Sequence, residues 1–222
     1  MLDTSLGHKL DGFDEPHEPH ANMQNDYFML MGDSLNQWMQ REGPPPQKQL
    51  VGVPWQQRPV FVTEPIKLRI RTGVLPKEPF PAYEGSCEPL LSARAKSLLE
   101  PLAISQLQFL LADVSVESGE VQRFWWLHVC RSIYCVDKKR TKGLFYSPRE
   151  MLAIGKLVLD EHALAAIPLE SRLIFRLGEL LYTLLLHSSL VDQLRGWEAE
   201  GFKFMPVAEW YHPDFIEDYD GP

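Results

Sequence analysis

The 222-residue chain lacks the motifs that would announce an enzyme. It has no GxGxxG and no GxxxxGK[ST] loop, so neither dinucleotide-type nor P-loop phosphate binding has a place to sit. It has no GxSxG elbow, which removes the commonest exposed-serine arrangement. No apolar run reaches the length that spans a bilayer. The opening MLDTSLGHKLDGFDEPHEPH has neither a basic start nor an apolar stretch of signal type, so a cytoplasmic location is expected. Only three cysteines are present, Cys87, Cys130 and Cys135. An odd count without an export signal excludes a disulfide framework as the organising element.

Base is scarce at both ends. Residues 1–20 carry five acids against Lys9, and residues 209–222 carry Glu209, Asp214, Glu217, Asp218 and Asp220 with no Lys or Arg. The body between them is close to neutral although the whole chain is at −8. Acidic ends disfavour nucleic acid as a direct ligand and suit solvation or a basic protein partner.

What is present is a core: hydrophobic residues make up 45% of the chain and charged residues 23%, the usual mix of a globular domain. Residues 1–25, aperiodic and rich in His, Pro and acids, read as a flexible acidic tail. DYFMLM at 26–31 has strand length. Proline-rich loops are expected at 42–54 and after 71, flanking a half-buried strand in which Ile66, Leu68 and Ile70 alternate with bases. Ser92 can cap a helix whose apolar face is Ala95, Leu98, Leu99 and Leu102, with Pro101 at its end.

Residues 106–116 and 123–137 are expected to form an antiparallel hairpin across ESGE at 117–120. The second of these holds FWWLHVCRSIYCVD and reads as one long central strand covered on both faces. Further strands are expected at 154–162, 171–178 and 202–207. Residues 179–189 fit helix or strand equally. Ser188, Ser189 and Asp192 resemble a capping box for a helix carrying Leu190, Val191, Leu194 and Trp197 to a stop at Gly201. The fold class is α+β, a largely antiparallel β-sheet with two short helices. The expected organisation is a tail at 1–25, a domain at 26–208 and an acidic aromatic tail at 209–222.

The candidate chemistry is sparse. His128 and Cys130 share a strand face, but Cys135 points to the other, and a zinc site wants four ligands in close pairs. A satisfied core histidine beside a buried thiol is the expectation. His17 and His20 lie in the acidic tail, where two histidines alone bind metal weakly. KKRTK at 138–142 reads as a solvated turn rather than a nucleic-acid patch. Asp137 can satisfy backbone donors where the long strand ends. No catalytic residue, cofactor-binding residue or metal ligand is expected, and no cofactor. The tail EWYHPDFIEDYDGP joins Trp210, Tyr211, Phe215 and Tyr219 to its acids, and two readings fit it equally: the rings dock on a basic groove of a partner, or they fold back on the domain.

Five ordered blocks resemble the immunity proteins of bacterial polymorphic toxin systems, of the type called immunity family eleven. They are Leu90-Leu91-Ser92 running to Leu99-Glu100, then Tyr134-Cys135-Val136-Asp137, Lys156-Leu157-Val158-Leu159-Asp160, Ile174-Phe175-Arg176-Leu177, and Gly201-Phe202-Lys203-Phe204-Met205-Pro206-Val207. The resemblance covers about 85–208, and more loosely 26–31. The basic stretch between the second and third blocks departs from it.

The resemblance implies a non-enzymatic antitoxin. It would bind and neutralise a secreted antibacterial toxin encoded by the adjacent gene, in many such systems a nuclease delivered by contact-dependent or type VI secretion. Toxin-binding residues would then be Trp210, Tyr211, Asp214, Phe215, Glu217, Asp218, Tyr219 and Asp220, acting by occlusion of the active site, without direct nucleic-acid or membrane contact. Two other classes fit the same residues: an adaptor or chaperone that loads the toxin for secretion, and a small enzyme using Cys130 or Cys135. A lowered thiol pKa would favour the last.

Overall fold

Strand-forming segments dominate the chain, and in the computed structural model they assemble into two five-stranded sheets and one separate hairpin. The structure describes residues 23–32, 39–41, 57–70, 89–115, 119–200 and 202–211. The strands are β1 (Tyr27–Gly32), β2 (Met39–Arg41), β3 (Ile66–Ile70), β4 (Leu90–Leu91), β5 (Leu107–Ser115) and β6 (Val121–Val129). They continue as β7 (Ser132–Ile133), β8 (Lys142–Ser147), β9 (Glu150–Lys156), β10 (Ile174–Leu177), β11 (Leu180–His187) and β12 (Phe202–Pro206). The helices are α1 (Ala93–Leu99), α2 (Glu161–Ala165) and α3 (Ser188–Gln193), joined by several 3₁₀ turns. One sheet runs β12-β1-β11-β10-β7, the other β2-β3-β5-β6-β4, and β8-β9 stands apart. Pairing is antiparallel except for β10 with β7 and β3 with β5. The α+β, largely antiparallel class is what the sequence predicts. The described residues hold three α-helices rather than two.

Period-two alternation distributes the core. In β6, Phe124 and Trp126 join Leu110, Ala112 and Val114 on one face, while Leu127 and Val129 pack on the other against α1, α3 and β11. In β10, Phe175 and Leu177 face the layer built from Met151, Ile154, Leu157 and Leu159, whereas Ile174 faces the layer shared with Leu127. The helices seal that shared layer. Trp197 is fully buried there, donates its indole N–H to the Ala95 carbonyl at 2.9 Å, and lies 4.8 Å from the Phe202 ring.

The hairpin of β5 and β6 forms with Leu107 opposite Val129 and Ser115 opposite Val121. Gly119 takes a φ of 85° in its connection, a conformation that favours glycine. Ser92 caps α1 as expected, its hydroxyl accepting from the Ala95 N–H at 3.0 Å. Pro101 falls in the 3₁₀ turn Glu100–Leu102 that ends the helix.

Three expectations are corrected. FWWLHVCRSIYCVD is not one strand. Its last bond on the β5 side is Cys130 N–H to the carbonyl of Gln106, the residue before β5, and its next is Arg176 N–H to the Arg131 carbonyl, across to β10. The chain leaves one sheet and joins the other between Cys130 and Arg131. Continuing the strand would have put Arg131 on the buried Leu127–Val129 face, a costly place for a guanidinium; instead Arg131 reaches the Ser171 carbonyl at 3.2 Å.

Residues 154–162 divide into the end of β9, an extended stretch bridged through Leu159 to Val136, and the start of α2. The N-cap of α2 is Asp160, which accepts from the Ala163 N–H. The ambiguous 179–189 is mostly strand β11, and α3 is capped by His187, whose Nδ1 accepts from the Ser189 N–H, not by a serine capping box. The expected loops at 42–54 and 71–88 and the stop at Gly201 lie outside the described residues.

Candidate functional site

Of the eight predicted contact residues, Trp210 and Tyr211 are described. Trp210 is half-buried against the layer holding Val136, Met151 and Val207, so this ring folds back onto the domain. Its indole N–H is buried without a hydrogen-bond partner. Tyr211 is exposed. Asp214, Phe215, Glu217, Asp218, Tyr219 and Asp220 lie outside the described residues.

The expected core histidine is found in the His–Cys stretch, but the Cys130 thiol beside it is half-buried rather than buried. His128 is fully buried on β6, with Nε2 at 3.2 Å from the Arg58 carbonyl. Cys130 is half-buried and its thiol faces the Gln108 carboxamide at 4.0 Å. Cys135 is buried on the far side of the crossover, and burial pushes its thiol well above the ordinary range, with Glu179 and Asp160 adding to the rise. A thiol shifted that way is a poor nucleophile. His17, His20 and Cys87 lie outside the described residues. Among the described residues no group of three or more His, Cys, Asp or Glu side chains is placed to hold a metal ion.

Glu179 is the unusual carboxyl. It lies in the turn between β10 and β11, 4% exposed, with Oε1 accepting from the Val136 N–H at 3.2 Å and Oε2 unpartnered. Burial pushes its pKa up, opposed by backbone N–H donors. The preceding Gly178 is needed because a Cβ there would lie 2.7 Å from the Tyr134 ring.

Where the crossing chain emerges, Asp137 organises a turn. Its Oδ1 accepts from the N–H groups of Lys139 and Arg140, and Oδ2 from Arg140 Nε at 2.6 Å. This is the donor-satisfying role its sequence position suggests. The Arg140 hydrogen bond holds the Asp137 carboxyl below the usual carboxylate range. The turn lines a cleft of about 590 Å³ whose walls are Met23, residues 136–140, Asp160, Glu161, His162 and Ala165. Its acids are partly engaged: Asp137 with Arg140, and Asp160 as the cap of α2.

Beyond the cleft stands the β8–β9 hairpin. From 138 to 156 the chain has Lys138, Lys139, Arg140, Lys142, Arg149 and Lys156, all exposed, against Glu150 alone. Lys138 Nζ donates to the Pro148 carbonyl in the hairpin turn, which ties the 138–140 turn to the hairpin. Tyr146 is 74% exposed, Leu152 52% and Tyr182 50%, and the Tyr182 hydroxyl donates to the Leu152 carbonyl at 2.7 Å. Of the solvated turn expected at 138–142, residues 138–140 are exposed, Thr141 is buried and Lys142 begins β8, and the basic stretch continues into the hairpin. Its signal in the sequence is the charge imbalance of the whole stretch.

No helix among the described residues is long and apolar enough to cross a membrane. The Immunity protein family (Imm11) matches residues 16–209, a longer span than the blocks that carry the resemblance. A comparison with curated proteins finds no match.

Proposed function

Because the chain belongs to the immunity protein family Imm11, we propose that it neutralises a nuclease effector of an antibacterial secretion system by covering its active site. The family supplies the coarse statement, a toxin-neutralising protein with a cognate toxin as partner, of a kind that is generally not enzymatic. The finer statement is our own: the acidic, aromatic segment 209–222 is the inhibitory element and the domain that carries it runs to 208 from Met23, earlier than the expected 26, because the turn Met23–Asp26 packs on the fold through Gln24, with 1–22 a second acidic tail. A nuclease cleft is built positive to hold phosphates, and a segment with five acids and no Lys or Arg is suited to fill it. The segment lies almost wholly beyond the family match, which suits an element shaped to one partner.

The toxin is expected from the adjacent gene, and the inhibitor acts in the cytoplasm of the producing cell, without cofactor, metal, direct nucleic-acid contact or membrane. Titrating the toxin's nuclease activity with the chain, and with its E217Q/D218N/D220N variant, tests this. Stoichiometric inhibition that weakens at least about tenfold in the variant supports the reading, since each lost charge-assisted contact at a desolvated interface is worth on the order of 1–3 kcal/mol. Equal inhibition by both proteins contradicts the role of the segment.

A further inference from the structure

We propose that the acidic segment 212–222 of this chain docks on the chain's own basic face, formed by the Lys138–Arg140 turn and the β8–β9 hairpin. The charges oppose in sign: residues 138–156 carry six bases and one acid, and residues 212–222 four acids and no Lys or Arg. The apolar groups match too. Phe215, Ile216 and Tyr219 lie among the acids, and Tyr146, Leu152 and Tyr182 stand exposed on and beside the hairpin.

The place where the segment leaves the fold makes the contact reachable. The 3₁₀ turn Val207–Glu209, which leads into Trp210, packs against the turn Met23–Asp26. Gln24 of that second turn donates to the Leu157 carbonyl and accepts from the Leu159 N–H. Val158, between them, accepts from the Asp137 N–H and is bonded in both directions to the Thr141 hydroxyl. Asp137 and Thr141 bracket the Lys138–Arg140 turn, and Met23 lines the same cleft as those three bases. The segment therefore starts one element away from the face. Residues 217–220 lie six to nine positions past Tyr211, a reach of up to about 20–30 Å in extended chain.

Glu161 and Asp160, which line the same cleft, carry the same sign as the segment, which directs it towards the hairpin side. Exposed ion pairs taken singly contribute little, but several carried by one tethered segment act at high effective concentration. Such docking covers the segment in the absence of a partner. It is independent of which toxin the protein meets, and its test contains none.

The test is zero-length carbodiimide cross-linking of the full chain, which joins a carboxylate only to a lysine in contact with it, on an equal mixture of ¹⁴N- and ¹⁵N-labelled protein. The expected result is same-isotope cross-links from Asp214, Glu217, Asp218 or Asp220 to Lys138, Lys139, Lys142 or Lys156. Their yield falls roughly tenfold at 1 M salt, where screening acts over about 3 Å. It falls similarly in K138E/K139E/K142E, and returns when that variant also carries E217K/D218K/D220K, read then from the reversed pairs. Mixed-isotope cross-links would assign the segment to a second copy and overturn the intrachain contact. So would cross-links to other lysines, unchanged yield in the charge-reversed variant, or no cross-link from the segment at all.

Discussion

Arg176 Nε donates to the Val129 carbonyl at 3.1 Å, and Arg176 Nη1 to the Leu181 carbonyl at 2.7 Å. Val129 is the last residue of β6 in one sheet; Arg176 belongs to β10 in the other. The buried guanidinium therefore ties the sheets at the place where the chain passes between them. Its motif, Ile174-Phe175-Arg176-Leu177, is one of those that carry the family resemblance, and the tie explains its arginine physically. Replacing Arg176 by Met keeps much of the volume and removes the donors to the buried Val129 carbonyl and the half-buried Leu181 carbonyl. The expected loss is about 3 kcal/mol in urea unfolding, with Lys a poor substitute because it lacks the planar fork. A loss below about 0.5 kcal/mol, the range of ordinary surface changes, would show that the tie is dispensable.

Trp197 seals the layer between α1 and β12. Trp197→Ala is expected to destabilise by about 3–5 kcal/mol, and Trp197→Phe by less, since Phe restores part of the packing but not the bond to the Ala95 carbonyl. Chemical denaturation of the two variants measures both. Equal losses would mean that the hydrogen bond, not the buried ring, dominates.

Glu179 gives a pH signature. Burial raises its folded-state pKa, so the fold holds this proton more tightly than the unfolded chain does. Its contribution to stability is therefore greatest at low pH and declines as pH rises from near the ordinary glutamate value of about 4.3 through the raised folded-state value, then levels off. Glu179→Gln keeps an acceptor for the Val136 N–H and removes the titration. The stability difference, variant minus wild type, is expected to grow in the variant's favour across that window. A difference independent of pH would contradict a buried titrating carboxyl.

The two described thiols should differ in reactivity. Cys135 is buried with its thiol pushed up, whereas Cys130 is half-buried. Mass-mapped alkylation of the folded chain near pH 8 is expected to label Cys130 well ahead of Cys135. Rapid labelling of Cys135 would point to an activated thiolate and revive a cysteine-dependent reaction.

Local patterns were legible where neighbours in sequence decide the outcome. Ser92 before an i, i+3, i+4 apolar series marks the start of α1, alternation marks β3, β5 and β12, and apolar runs of strand length mark β1 and β6. The crossover at Cys130–Arg131 was not, because it depends on β10, more than forty residues away. Its only local trace is the polar Arg131-Ser132 pair interrupting an apolar run. The β8–β9 hairpin was hidden by bulges that break its alternation between Lys142 and Ser147. The cap of α3 was misread because serine is the commoner cap, whereas here the His187 ring takes the role. For the contact segment, the sequence supplies acids and aromatics, and the structure adds that Trp210 is seated on the fold and Tyr211 is exposed.

The most direct measurement is survival on co-expression with the toxin domain from the adjacent gene, followed by calorimetric titration of the purified pair. The account predicts survival and tight one-to-one binding, with the toxin's nuclease activity abolished in the complex. Tight binding with toxicity retained would contradict neutralisation and indicate an adaptor that carries the toxin; absence of binding would contradict the partnership itself.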